Sequence, residues 1–127
     1  MIEAQSFDAI VVGTGQGGMP IAAKLAKAGW KTAIVEREYV GGTCVNVGCT
    51  PTKTMVASDY GVHVGGGGVE VSISAVVERK RAIVERWNQG AEQSMRSTDN
   101  LTLLMGEGRF TGPHTLTVEP IDGSEPR

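Results

Sequence analysis

The sequence predicts an α/β fold: a parallel sheet with helices, followed by a small β-meander. Three observations predict it. A strand–helix–strand pattern fills residues 7–36, the length of one βαβ unit. A glycine run, Gly13-Thr14-Gly15-Gln16-Gly17-Gly18, sits at the first strand-to-helix junction. The tail from Leu101 alternates in the manner of strands and is broken by Gly112-Pro113.

Each element has its own reason. Residues 7–12 form an apolar run that ends at a glycine, as a buried parallel strand does. A helix is expected over residues 16–28. Pro20 falls in its first turn, where the missing N–H has no partner to lose, and Gly29 is a natural cap beyond its end. Residues 31–36 are a second β-rich run. The segment from Gly41 to Lys53 holds both cysteines of the chain. It is expected to open one helix running through Lys53 toward Ser58, bent near Pro51. Gly65 to Gly68 read as a flexible connector. Over residues 74–97, Val77, Val84, Trp87, Ala91 and Met95 recur at helical steps, and Val76 and Ile83 widen that face. Glu92 and Arg96 pair on the outer side at i, i+4; Gly90 weakens the helix by about 1 kcal/mol relative to alanine. In the tail Leu101, Leu103 and Met105 share one side, Thr115 to Val118 form the returning strand, and residues 122–127 read as a loop.

The bulk numbers restrict function. The 127 residues amount to one domain, with 40% hydrophobic residues to fill a core. A net charge of −2 supplies no basic patch for nucleic acid or an anionic membrane. No apolar run approaches a bilayer span, and the N-terminus, with Glu3 and Asp8, lacks a basic leader. The expected compartment is the cytoplasm, where two cysteines are more often catalytic or metal-binding than a structural staple.

Gly13, Gly15 and Gly18 match G-x-G-x-x-G after a strand and at the start of a helix. Gly13 permits the turn, Gly15 lets backbone approach a pyrophosphate, and Gly18 lets helix and strand pack closely. Ala22 and Ala26 continue the small ridge from Gly18. The helix N-terminus offers N–H groups and partial positive charge to phosphates. Glu36, at the end of the second strand, can accept hydrogen bonds from ribose hydroxyls and would repel a 2′-phosphate. The competing reading is a glycine-rich turn in an unrelated α/β protein with Glu36 merely exposed; strand, ridge and acid together favour a nucleotide.

Cys44 and Cys49 enclose four residues, with Gly48 among them. That spacing and a local bend can bring two sulfurs into bonding distance. A helix N-terminus and Lys53 are expected to lower the thiol pKa values. The alternatives are two inert buried thiols or half of a zinc site. A zinc site needs more ligands than His63 and His114 supply at this spacing, so no metal is expected.

The run from Gly41 to Lys53 resembles the redox-active signature of the class I pyridine nucleotide-disulfide oxidoreductases, the family of glutathione reductase, dihydrolipoamide dehydrogenase and mercuric reductase. The resemblance reaches back to Phe7 and forward to Gly106-Glu107-Gly108-Arg109-Phe110, similar to the family's strand beside the adenine. It implies a Rossmann-like domain, residues 1–127 being its N-terminal part, that binds FAD. Cys44 would be the interchange thiol and Cys49 the charge-transfer thiol against the flavin. Lys53 would lie near the reactive ring, Thr43 would bond the cofactor, and Glu36 the adenosine ribose. Gly13, Gly15, Gln16, Gly17, Gly18, Gly42 and Gly108 would complete the cofactor contacts. The implied activity is electron transfer between NAD(P)H, flavin, the Cys44–Cys49 disulfide and a small-molecule disulfide, dithiol or metal-ion substrate.

The chain departs from that family in length. A second fingerprint for NAD(P)H, the dimerisation domain of the expected homodimer and its His-Glu pair have no counterpart in these residues. His63 and His114 do not match that pair and read as surface or loop residues. The expectation is therefore a truncated domain that does not turn over NAD(P)H by itself. Two alternatives stay open: a non-catalytic FAD- or NAD-binding module, and a remnant that binds neither.

Overall fold

The computed structural model of the chain describes residues 4–64 and 72–123, without the side chains of residues 62–64. The predicted connector Gly65 to Gly68, the His63 side chain and the last four residues of the predicted terminal loop lie outside the described residues.

Eight elements follow in order: β1 (Ala9–Val12), α1 (Gly18–Lys27), β2 (Thr32–Glu36), α2 (Gly42–Asn46), α3 (Cys49–Val64), α4 (Ile73–Arg96), β3 (Leu101–Gly112) and β4 (Thr115–Pro120). The strands form one sheet in the order β1-β2-β3-β4. β1 pairs parallel to β2, Ala9 opposite Thr32, and β2 parallel to β3, Thr32 opposite Leu101. β2 is the inner parallel strand, and all five of its residues are buried, as a strand covered on both faces requires.

The βαβ unit forms as expected. α1 buries Ala22 and Ala26, the small ridge that lets it lie close to the sheet. It ends in a Schellman motif: Trp30 N–H donates to Leu25 O and Gly29 N–H to Ala26 O, with Gly29 at φ 90°. α4 is capped by Ser72, whose hydroxyl accepts from Ala75 N–H.

The core joins Ala22, Ala26, Ile34, Val40, Met95, Leu101 and Leu103, so α1, α4 and the parallel strands share one apolar layer. Met95 anchors α4 there at 5% exposure. Met95→Ala should lower stability by about 2–4 kcal/mol, read as an earlier urea midpoint at unchanged slope.

Three expectations are corrected. Trp87, placed on the apolar face by periodicity, is 60% exposed; it stands at the rim of α4's buried stripe. The cysteine segment is two helices, α2 and α3, broken at Val47–Gly48. The break precedes Pro51, which lies in the first turn of α3, where its missing N–H costs no intrahelical bond. α3 also continues past Ser58 to Val64.

The tail is an antiparallel hairpin, β3 with β4, turning at Pro113-His114; within the described residues the expected meander is this hairpin. β3 serves two neighbours. Through Met105 it pairs with β2, and from Gly106 it pairs with β4. A Cβ on Gly106 would overlap the Glu119 carbonyl oxygen, so glycine is what lets β4 close onto the strand at the changeover.

Candidate functional site

Parallel pairing brings the carboxyl ends of β1 and β2 and the middle of β3 to one edge of the sheet. The Gly13 turn, Glu36 and Gly106–Gly108 meet there, where open α/β sheets place their ligands. They line a groove of about 250 Å³ with Val12, Val35, Arg37 and Glu107. Gly13 turns at φ 96° and donates its N–H to Val35 O at 2.7 Å. A Cβ on Gly18 would overlap the Gly13 carbonyl oxygen, the close helix-to-turn packing the fingerprint requires. Gly15 and Gly17 differ: a Cβ there meets no protein atom within 4 Å. No side chain caps the N-terminus of α1 and no acid stands in its first turn, so the helix end keeps its positive character.

Glu36 is buried rather than merely exposed. Its Oε2 accepts from Thr14 N–H at 3.0 Å and from the Thr14 hydroxyl at 2.5 Å, and its Oε1 from Glu38 N–H at 2.9 Å. Burial by itself would push the carboxyl pKa up. The Thr14 hydroxyl and the backbone N–H groups of Glu38, Thr14 and Arg37 outweigh it and hold the carboxyl below its ordinary value. Glu36 is therefore ionised at neutral pH, with both Thr14 donors on Oε2 and the Glu38 N–H on Oε1.

The dithiol packs directly on this turn. Gly41 and Gly42 take positive φ, 99° and 60°, and a Cβ on Gly42 would come within 2.9 Å of the Gly15 Cα. α2 carries Cys44 and α3 begins with Cys49. Gly48 makes the tight bend between them, since a Cβ there would sit 3.0 Å from the Thr43 carbonyl oxygen. Both cysteines are free thiols, Cys44 half-buried and Cys49 exposed. The expected lowering of the thiol pKa fails for Cys44. Its hydrogen bond to Cys49, burial and the Cys49 charge push it up, against smaller opposing effects of the Cys49 backbone N–H and Lys53. Cys44 therefore holds its proton above its ordinary range.

Sequence reading missed a polar brace behind the dithiol. Asn88 on α4 donates to Val40 O at 2.7 Å and to Asn46 Oδ1 at 2.9 Å; Asn46 in turn donates to Val40 O and Gly42 O, each at 2.9 Å. Asn88 stands four residues after Val84, three before Ala91 and seven before Met95, so a polar residue on the apolar face was the signal that could have found it. Gln16, Thr43 and Lys53 are exposed around the turn and the dithiol, and Gly108 lies across the groove from Glu36. Exposed His114 sits in the hairpin turn, apart from the cysteines. Among the described residues no three His, Cys, Asp or Glu side chains converge as metal ligands. No helix among them is long and apolar enough to cross a membrane.

Comparison with known proteins agrees with this geometry. The family model described as pyridine nucleotide-disulphide oxidoreductase matches residues 7–124. The chain belongs to this family. It is 38% identical over 126 residues to a dihydrolipoyl dehydrogenase of Rhizobium etli, covering 91% of this chain and 26% of the relative. It is 36% identical over 131 residues to the dihydrolipoyl dehydrogenase of Trypanosoma brucei brucei, covering 94% and 27%. Among solved structures, the Cu(II) complex of the HOCl-induced flavoprotein disulfide reductase RclA from Escherichia coli superposes with a TM-score of 0.84 at 28% identity. That superposition covers 97% of this chain and 26% of the other. The chain thus spans about a quarter of the length of these relatives.

Proposed function

We propose that residues 1–127 are the N-terminal part of an FAD-binding domain of a flavin-dependent pyridine nucleotide-disulfide oxidoreductase. The observation that carries this reading is the dithiol segment resting on the nucleotide turn, Gly42 against Gly15. The residues present fit the cofactor. The α1 N-terminus and the backbone of Gly13, Gly15, Gln16, Gly17 and Gly18 would take the pyrophosphate. Glu36 would accept a ribose hydroxyl on Oε1, with Gly108 lining the adenosine side, and Gly42, Thr43 and Lys53 would face the flavin half. Bound there, FAD supplies two-electron transfer between a nicotinamide and the protein thiols.

The chemistry of the chain itself is thiol–disulfide exchange. Cys44 attacks a substrate disulfide as the thiolate and releases one thiol, leaving a mixed disulfide. Cys49 then attacks the Cys44 sulfur, and the second substrate thiol leaves with the proton. The pair ends as one S–S bond, having given up two electrons and two protons to the substrate. Closing the pair requires the Cys49 sulfur beside Cys44, which the bend at Gly48 between α2 and α3 supplies. Small disulfides, dithiols or metal ions remain the substrate class, cytoplasm the compartment, and a homodimer the expected assembly.

The test is a titration of the purified chain with FAD and with NAD. We expect saturable FAD binding with quenched flavin fluorescence, and a long-wavelength band lost in Cys49→Ser although FAD stays bound. Binding of NAD in place of FAD would favour the non-catalytic module, and binding of neither would reject the reading. NAD(P)H turnover above the rate of free flavin would overturn the expectation that these residues do not complete the cycle.

A further inference from the structure

We propose that Thr14 is a positioning residue that locks the nucleotide turn to the dithiol segment. Thr14 stands in the variable position between Gly13 and Gly15, and its side chain points inward: it has no exposed surface. Its hydroxyl joins three segments. It donates to Glu36 Oε2 at the end of β2, and it accepts from Gly41 N–H, 3.2 Å away, at the entrance to α2. The direction of this chain is fixed. A carboxylate only accepts and an amide N–H only donates, so the single hydroxyl proton must go to Glu36 and the lone pair must face Gly41. The bonds are enclosed, and the bond to a charged acceptor is the stronger kind. Serine can make both bonds; valine, of the same shape, can make neither.

The consequence reaches both halves of the site. Thr14 engages Oε2 twice, through N–H and hydroxyl. This fixes the Glu36 carboxylate and leaves the Oε1 side toward the groove. The bond to Gly41 holds the positive-φ pair Gly41-Gly42 against Gly15, and Cys44 follows two residues later. One hydroxyl thereby sets the distance between the ribose acceptor and the thiols. The part of this inference that concerns the cofactor rests on the FAD reading above; the lock itself does not.

The experiment compares Thr14→Val and Thr14→Ser with the wild-type chain, reading exchange and alkylation without cofactor and then FAD binding by titration. In the valine variant the Gly41 amide should exchange with deuterium about tenfold faster, the equivalent of one lost enclosed hydrogen bond, while the Ile34 amide in the core keeps its protection. Alkylation of the cysteines by iodoacetamide should accelerate several-fold, and FAD affinity should fall about tenfold. Serine should restore all three. Unchanged Gly41 exchange and alkylation in the valine variant, or a serine variant that behaves like valine, would overturn the proposal. If the valine variant does not fold, NMR of the wild-type chain decides. A slowly exchanging Thr14 hydroxyl proton with a cross-peak to the Gly41 amide is expected, and its absence overturns the lock. Should the wild-type chain fail to bind FAD while the exchange and alkylation pattern holds, the FAD reading falls and the lock stands.

Discussion

Gly18→Ala is expected to cost about 3 kcal/mol, overpacking at the upper end of its usual range, and to lower the melting temperature by about 10 °C. The added Cβ would run into the Gly13 carbonyl oxygen, with Gly13 C at 3.1 Å and Val11 Cγ1 at 3.5 Å as the next neighbours. Two of these three atoms are backbone, so no side chain can swing aside. Either the Gly13 turn shifts or α1 lifts from the sheet, and lifting α1 uncovers Ala22 and Ala26 in the core. The helix propensity of alanine returns about 1 kcal/mol at most, too little to compensate.

Two neighbours give the controls. Gly17→Ala and Gly15→Ala add a Cβ in open space, so both should keep wild-type stability within about 0.5 kcal/mol. On the proposed FAD reading, Gly15→Ala should nevertheless lose FAD, because the added Cβ would stand where the pyrophosphate approaches the backbone. Thermal melts of the three variants beside FAD titrations separate the glycine that packs the fold from the glycine that admits the cofactor. Equal melts for Gly18→Ala and Gly17→Ala would show that the close helix-to-turn contact carries no stability.

Much of this was legible in the residues. The βαβ unit, the ridge Gly18-Ala22-Ala26, the cap at Gly29 and the Glu92–Arg96 pair, found at 2.8 Å, all follow from periodicity and backbone chemistry that act within a few residues. What stayed hidden depends on partners far along the chain. The break at Val47–Gly48 is stabilised by Asn46 folding back onto Val40 and Gly42 and by Asn88 from α4; a local pattern contains none of that. Trp87 fits the helical period yet stays largely exposed, because only the tertiary arrangement decides how wide a face of α4 is covered. The change of partner at Gly106 needs knowledge of where β4 returns. Glu36 was legible as an acid in the right place, but its burial depends on Thr14, a residue that the fingerprint treats as interchangeable.

That burial makes Glu36 the second large effect. Glu36→Ala strands the Thr14 N–H, the Thr14 hydroxyl proton and the Glu38 N–H together. At about 1–3 kcal/mol for each buried donor left unpaired, and with Glu38 exposed enough to recover water, the loss should be about 3–4 kcal/mol. Glu36→Gln is the sharper probe. Its oxygen can serve the two Thr14 donors, but its amide then meets the Glu38 N–H donor to donor, at about 1–2 kcal/mol. The pH dependence separates charge from shape. The folded carboxyl pKa is lowered, so the stabilisation is fully present above the unfolded value of about 4.3. It is lost as pH falls through the folded value, where the native state must take up a proton. Urea unfolding of the wild-type chain and Glu36→Gln should therefore differ most near neutral pH, and the gap should close in acid. A gap that is independent of pH would mean that the carboxylate acts by shape alone, and no gap at all would mean that Thr14 and Glu38 find other acceptors.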